Sequence, residues 1–531
     1  MTARTLIQHL FAAAALMSSL AATAQAPSTL KVVLDGEIKI VDPIATVNYR
    51  TRDLAYMVFD MLIATDSKGN YKPQMLESFA VSRDRMRYTF TLRPGLEFSD
   101  GAPVTAEDCV ASIKRWAARD GLGGQMMAST KALKVVDKST FTLELAKPFG
   151  YVIEAIGKPS SNVLAIMPAR IASLDASKPI SELVGSGPFV FRKDLWVAGN
   201  KMVLEKNKRY RPRPEPADGL AGGKQVHIDR LELLVMPDPA TKVAALQVGE
   251  VDYVQQVPFD FMPILKSNKE ISLSTVRGIG DYLAVARPNH AQPPFNNLKV
   301  RQALQVLVDQ PQVLAGLGAI PELMTECHSV YSCSTKYKTN AGTDSFRQPN
   351  LERAKALLKE AGYKGEKVVV LHTTDVQTIH LLSTVLEEQM RKAGFNVEVQ
   401  AADWATVSQR RFNKEVVEKG GWSLLPNQWF GFDVASPLTH YGIAYNCTNG
   451  YPGWSCDEET TRLLAQFTAE MEESKRQALA DKLQVRAHES VSIVVAGQYT
   501  FSNAYRSNLK GLLAVGIPVF WNVEKVSAAS R

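Results

Sequence analysis

Reactive side chains are plentiful in this chain, yet few stand at a spacing that makes a catalyst. Serine hydrolysis on a nucleophile elbow needs Gly-x-Ser-x-Gly, and zinc proteolysis needs two histidines one helical turn apart. Neither GxSxG nor HExxH occurs, nor a Walker loop, nor GxGxxG following a strand. Ser186 lies between Gly185 and Gly187, but GSGPFVF reads as a backbone turn into a strand, because glycine tolerates the angles such a turn needs. The 54 acidic residues leave room for a two-carboxylate hydrolase, a reading that requires two facing acids in a cleft. Of the five cysteines, Cys327 and Cys333 bracket HSVYS, Cys447 and Cys456 bracket TNGYPGWS, and Cys109 stands alone. A zinc site at Cys327, His328 and Cys333 lacks a fourth ligand at the usual spacing, so no metal and no cofactor is expected.

The compartment follows from the first residues. Arg4 precedes an apolar run from Leu10 to Leu20 and then the small-residue stretch AATAQA, the three parts of a secretory signal. Cleavage after Ala24 is favoured over Ala26, which would place Pro27 directly beyond the cut. No later stretch offers the roughly 20 uninterrupted apolar residues of a membrane span. The expectation is a soluble periplasmic protein with a cleaved signal. An oxidising compartment invites cysteine pairing, so Cys327–Cys333 and Cys447–Cys456 are expected as local disulfides and Cys109 as a small core residue. Lys and Arg number 61 against 54 acids, leaving +7, but they are scattered. The one dense patch, RYRPRP from Arg209, has no aromatic interleaving and reads as a solvated loop, which argues against nucleic acid as a partner.

The elements alternate between helix and strand. TLKVVL from Thr29 reads as a buried strand, and MRYTFTLRP alternates outward Arg and Thr with inward Tyr88, Phe90 and Leu92. Thr105, with Asp108 three residues on, caps a helix through Val110, Ile113 and Trp116. Asp238 and Pro239 open a helix that Gly249 closes. KVVVLH, a helical stripe through Ile379, Leu382, Leu386 and Met390 ending at Gly394, and alternation at Phe395, Val397 and Val399 together make a βαβ unit. Two polar helices (458–471 and 474–489) precede a last strand in SIVVAGQYTF. The length of 531 residues gives a soft prior of three domains, with no internal repeat and no low-complexity linker.

Four stretches carry a resemblance that local reasoning does not supply: YTFTLRPGLEFSDGAPVTAEDCVASIKRW from Tyr88, GSGPFVF from Gly185, PPFNNLKVRQALQVLVDQ from Pro293 and NLERAKALLKEAGY from Asn350. In this order, with a signal and this length, the chain resembles the family 5 extracellular solute-binding proteins, the peptide and nickel binding group. The likeness spans residues 29 to 525. It implies an α/β fold of the periplasmic-binding-protein type: two clamping lobes with mixed sheets joined by a hinge, and a smaller extra lobe on the first. Lobe I is placed at 27–52, 182–278 and 495–531, the extra lobe at 53–181 and lobe III at 279–494.

The implied function is solute capture by hinge closure, without catalysis, followed by delivery to an ABC permease; the protein is expected as a monomer. Glu37, followed by Ile38 in GEIKIVDP, matches the place where peptide-binding relatives present an acid from lobe I. Trp429, Phe430, Gly431 and Asp433 in NQWFGFDVASP match the lobe III segment whose acid pairs with a peptide's α-ammonium group, a charge-assisted contact. Phe432 widens the spacing in that segment, and Ser436 rather than Asp precedes Pro437. Trp422, Trp404, Tyr441 and Tyr499 add aromatic surface, and Trp454 anchors the Cys447–Cys456 loop. Arg410 or Arg411 is available for a carboxylate, and an exposed helix face explains both equally. Within the class, the rival solutes are nickel chelates, haem, oligosaccharides and small aromatic acids. From other classes the rivals are the exported hydrolase and a periplasmic chaperone or sensor partner that keeps the fold.

Overall fold

Two mixed sheets dominate the structure, and each is built around a strand buried on both faces. In the first, Leu30, Val32 and Val33 of Thr29–Val33 are fully buried, and this strand runs parallel to Arg230–Leu234 and Tyr253–Val254. Leu30 and Val32 pack on one face and Val33 on the other, which is why the apolar residues here do not simply alternate with polar ones. The computed structural model describes residues 27–526 except 279, 319, 445 and 448–450; the expected signal segment lies outside the described residues. Sheet order in the first lobe is Ile271–Thr275, Ser502–Arg506, Tyr253–Val254, Thr29–Val33, Arg230–Leu234, Lys201–Lys206 and Phe189–Phe191.

The second sheet centres on Asp281–Pro288, whose eight residues are all buried. It lies antiparallel between Val494–Thr500 and Leu424–Phe430. Beyond Leu424–Phe430 come Lys367–Thr373 and Asn396–Ala402, joined in parallel through the helix Gln377–Ala393, which Gly394 terminates at φ 97°. This is the βαβ unit that the periodicity predicts. The extra lobe is a four-stranded antiparallel sheet in the order Leu76–Val81, Arg87–Leu92, Thr140–Leu145, Thr130–Val135, with Phe90 stacked on Phe141 at 5.0 Å. Its helix Ala106–Ala117 begins with the expected capping box of Thr105 and Asp108, and Cys109 is buried as a free thiol.

Glycines at the return from the extra lobe have a steric reason. A Cβ on Gly185 would sit 2.1 Å from the Val58 carbonyl oxygen, and one on Gly187 would sit 2.6 Å from the Val58 carbonyl carbon. The turn therefore docks directly on the C-terminus of the helix Tyr49–Val58, and the Gly187 N–H donates to the Val58 carbonyl at 3.0 Å. Ser186 is buried beside it, part of the turn. The RYRPRP stretch is less solvated than its composition suggests. Arg213 donates to the carbonyls of Gln74 and Leu76 and strapped against them pairs with Glu215.

The chain passes from one large sheet to the other between Thr275 and Asp281 and again between Thr500 and Ser502. The second crossing follows Val494–Thr500, which pairs with Asp281–Pro288. Buried Asp281 ties the crossings together: it accepts from the Gly278 N–H, from Gln498 Nε2 at 2.9 Å, and from the hydroxyls of Ser334 and Thr500. The pairs Cys327–Cys333 and Cys447–Cys456 are disulfides.

Candidate functional site

Where the lobes meet, a short turn places a carboxylate. The strand Leu424–Phe430 runs into a 3-10 turn, Gly431–Val434, which turns Asp433 back beneath the sheet end at 1% exposure. From the first-lobe side, the helix Tyr49–Val58 begins at Asn48, whose side chain accepts from the Arg50 N–H and caps it. That cap fixes the first turn so that Tyr49 reaches across the interface. Its hydroxyl donates to Asp433 Oδ2 and accepts from the Phe430 N–H at 3.1 Å. The other carboxylate oxygen, Oδ1, has no hydrogen-bond partner among the described residues.

Burial pushes the Asp433 carboxyl above the usual range, opposed by the Tyr49 hydroxyl, by the charges of Arg52 and Lys158, and by the nearby Ser160 hydroxyl. Burial likewise raises the Tyr49 phenol well above its ordinary value, and the Asp433 charge adds to it. Tyr49 thus stays a neutral donor. Arg52 lies one helical turn on, stacked 4.8 Å from the Tyr49 ring centre and 4.6 Å from that of Phe430. It is already paired with Asp53 at 2.8 Å. Lys158 is likewise committed, to Asp120 at 2.8 Å and to Ser160 Oγ at 3.0 Å. Asp433 therefore sits among cations that have carboxylate partners of their own.

The remaining expected site residues divide. Trp429 and Phe430 flank Asp433, and the Trp429 ring stands 5.6 Å from Tyr441 while its indole N–H is buried without an acceptor. Tyr441 in turn shares a 2.7 Å hydrogen bond with Ser161 of the extra lobe. Tyr499 packs against Tyr282 and Phe501, and its hydroxyl bonds Gln428. Trp422 lies elsewhere: it is fully buried in a separate cluster with Val369, Leu371, Val407 and Leu425, its N–H donated to the Arg411 carbonyl. Glu37 accepts from the Gly199 N–H at 2.7 Å within the first lobe, and with Ile38 it lines a shallow open pocket beside Trp196. The first-lobe group bonded to Asp433 is Tyr49, not Glu37. Tyr49, Arg52 and Lys158 escaped sequence reasoning. Their only signal was Arg52 next to Asp53 inside an apolar helix, a pairing that predicts burial rather than a place at the site.

With this geometry in hand, comparison with known proteins is specific. Residues 70–452 match the description "Bacterial extracellular solute-binding proteins, family 5 Middle". The chain is similar to a "Probable peptide ABC transporter periplasmic-binding protein y4tO" of Sinorhizobium fredii, at 35% identity over 506 residues covering 94% of each chain. Among solved structures it is similar to the periplasmic binding protein DppA from Helicobacter pylori in complex with the peptide STSA (TM-score 0.79, 19% identity, covering 95% of this chain and 100% of that one). It is also similar to the oligopeptide-binding protein AppA from Bacillus subtilis in complex with a nonapeptide (TM-score 0.80, 18% identity, covering 94% and 100%).

Proposed function

Because the chain belongs to the family 5 bacterial extracellular solute-binding proteins, we propose that it is the exported, periplasmic receptor of an ABC importer, binding a short peptide or similar amine-bearing solute. Peptide transport is named for the 35% identical relative, and that name supports the solute class. The observation that carries the reading is Asp433: a fully buried carboxylate at the lobe interface with one oxygen satisfied by Tyr49 and the other unbonded. A buried charge of this kind needs a partner, and a solute ammonium supplies both the charge and the donors.

In this reading Asp433 and Tyr49 hold the ammonium end, Trp429 and Phe430 wall the site, and Gly431 lets the chain turn towards it. Tyr499, bonded to Gln428, borders the same region from the last crossing strand, whereas Glu37 and Ile38 lie apart from it within the first lobe. Two crossings between the lobes, clasped by Asp281, suit a hinge that closes on solute. A monomer suffices, since both walls of the site come from one chain. The Cys447–Cys456 and Cys327–Cys333 disulfides fit an oxidising compartment, and among the described residues no helix is long and apolar enough to cross a membrane.

Calorimetry with the tripeptide Ala-Ala-Ala and its N-acetylated form tests the assignment. Wild type should bind the free-amine peptide at least about thirtyfold more tightly, and Asp433→Asn should abolish that difference, the lower end of the about 2–5 kcal/mol expected when a buried charge pair loses one member. Equal affinity of wild type for both peptides would sink the ammonium anchor.

A further inference from the structure

Two arginines of the second lobe are buried with no carboxylate beside them among the described residues. Arg287, on the central strand Asp281–Pro288, is 1% exposed, and Arg411, capping the helix Trp404–Arg410, is 6% exposed. Both face one ring: their guanidinium carbons stand 4.2 Å and 5.2 Å from the centre of Tyr451. Arg411 Nη1 donates to the Tyr451 hydroxyl at 2.7 Å, and Arg287 Nη2 donates to the Tyr451 carbonyl at 3.1 Å. Beyond these, Arg287 Nε and Nη1 and Arg411 Nε have no hydrogen-bond acceptor among the described residues.

Two like charges packed this way oppose each other. Burial, with the charge of Arg411 adding to it against the Tyr451 hydroxyl, pushes the Arg287 guanidinium down to about 9. A buried cation without a counter-ion costs stability, and an apolar side chain of similar size would pack there at no such cost. Arginines retained in that setting with free N–H groups are suited to an anion, above all a planar carboxylate.

The cluster is continuous with the Asp433 site. Arg287 stands 5.5 Å from the Trp429 ring, Trp429 contacts Tyr441, and Tyr441 bonds Ser161, which follows Ser160 beside Asp433. Tyr451 and Gly453, which lie between the bridged Cys447 and Cys456, sit against it. A Cβ on Gly453, at φ 110°, would lie 2.8 Å from Arg287 Nε, so the loop approaches the guanidinium as closely as glycine allows.

We propose that Arg287 and Arg411 form an anion subsite that takes an acidic side group of the bound solute, beyond the terminal carboxylate that every peptide carries, so that the preferred solute is acidic as well as amine-bearing. This rests on the amine-anchored reading above and names the solute class more narrowly. It also distinguishes a role in selectivity from a merely structural one: a guanidinium that only braced the 447–456 loop would affect acidic and neutral solutes alike.

The test is calorimetry of the mature protein, freed of endogenous solute, with Ala-Glu-Ala and Ala-Gln-Ala, which differ by one charge. Wild type should prefer the acidic tripeptide by about tenfold or more, as expected for one desolvated charge pair. Arg287→Gln should remove the preference while changing Ala-Gln-Ala affinity by no more than about threefold, and Arg287→Lys should restore part of it. Equal wild-type affinity for the two tripeptides overturns the anion subsite and leaves the peptide reading standing. Equal loss of both in Arg287→Gln also overturns it, assigning the arginine to loop support. If neither tripeptide binds, thermal melting with glutarate decides: stabilisation of wild type but not of Arg287→Gln keeps the subsite and discards the peptide reading, and no stabilisation discards the subsite too.

Discussion

At the scale of single residues, the structure holds several titratable groups in protonation states that water would not choose. His440 and His488 are buried and His290 is largely so, and desolvation pushes them down to about 4, 3 and 3 respectively. His440 shows why: Nε2 lies 2.9 Å from the Val330 carbonyl, so it donates there, while Nδ1 accepts from the Gly442 N–H at 3.0 Å, which fixes the neutral tautomer. Below the ordinary histidine value near 6.5 the unfolded chain takes up protons that the folded chain refuses, so stability present above pH 6.5 is lost as pH falls towards 4. Asp53 acts in the opposite sense, because burial raises it to about 6 despite Arg52. The comparison with His440→Gln therefore isolates the histidine contribution: melting temperature should fall less between pH 7 and pH 5 in the variant than in wild type. Identical slopes would show that His440 does not contribute. Asp433 was visible to sequence reasoning because it lies in a motif. Arg287 was not, since one arginine in a strand has the look of ordinary outward alternation until both faces of that strand prove to be buried.

At the scale of elements, caps and turns were the most readable features. Asp238 accepts from the Thr241 N–H ahead of Pro239, as the spacing predicts, and Gly249 takes φ 78° beyond the helix end. The Gly185–Gly187 turn was predicted as a turn, but its partner, the end of the helix Tyr49–Val58, is about 130 residues away and no local rule names it. Gly185→Ala should destabilise the protein by about 1–3 kcal/mol, the usual cost of overpacking, since the Val58 carbonyl must move. Urea unfolding measures this, and an unchanged midpoint would mean that the turn shifts freely. The Cys447–Cys456 bridge constrains a loop that bears Tyr451 and Gly453 against Arg287. Replacing both cysteines by serine should speed limited proteolysis within the loop and weaken binding of an acidic solute more than of a neutral one.

At the scale of the whole molecule, the extra lobe does more than pack on the first. Its Gly150 N–H donates to the Thr468 carbonyl at 3.0 Å, and Arg476 Nη2 donates back to the Gly150 carbonyl at 3.0 Å. Arg476 also lies 4.3 Å from the Tyr151 ring centre, and Tyr151 stacks on Phe467 at 5.3 Å. These contacts tie the second lobe to the extra lobe at a distance from Asp433, and the expectation is that they favour a closed arrangement of the lobes. Arg476→Ala should shift the population towards open, seen as a larger radius of gyration in solution scattering and a roughly three- to tenfold weaker solute affinity. Unchanged scattering and affinity would show that the latch adds nothing to closure.

What the sequence determined by itself was local or shared with a family: alternation and helical stripes, caps, the βαβ unit, the cysteine pairing, and the position of Asp433 within a motif. These follow from periodicity and turn chemistry, which act over a few residues. Only the tertiary structure decided which side chains meet Asp433 and which do not. Tyr49 and Asp433 are separated by 384 positions and are joined by the crossing of two lobes. The same crossing leaves Glu37 bonded to Gly199 and Trp422 inside a separate core. Packing within the second lobe brings Arg287 and Arg411, 124 positions apart, to the ring of one tyrosine, Tyr451. Long-range pairing of this kind depends on how lobes pack, and no short window of sequence carries that information.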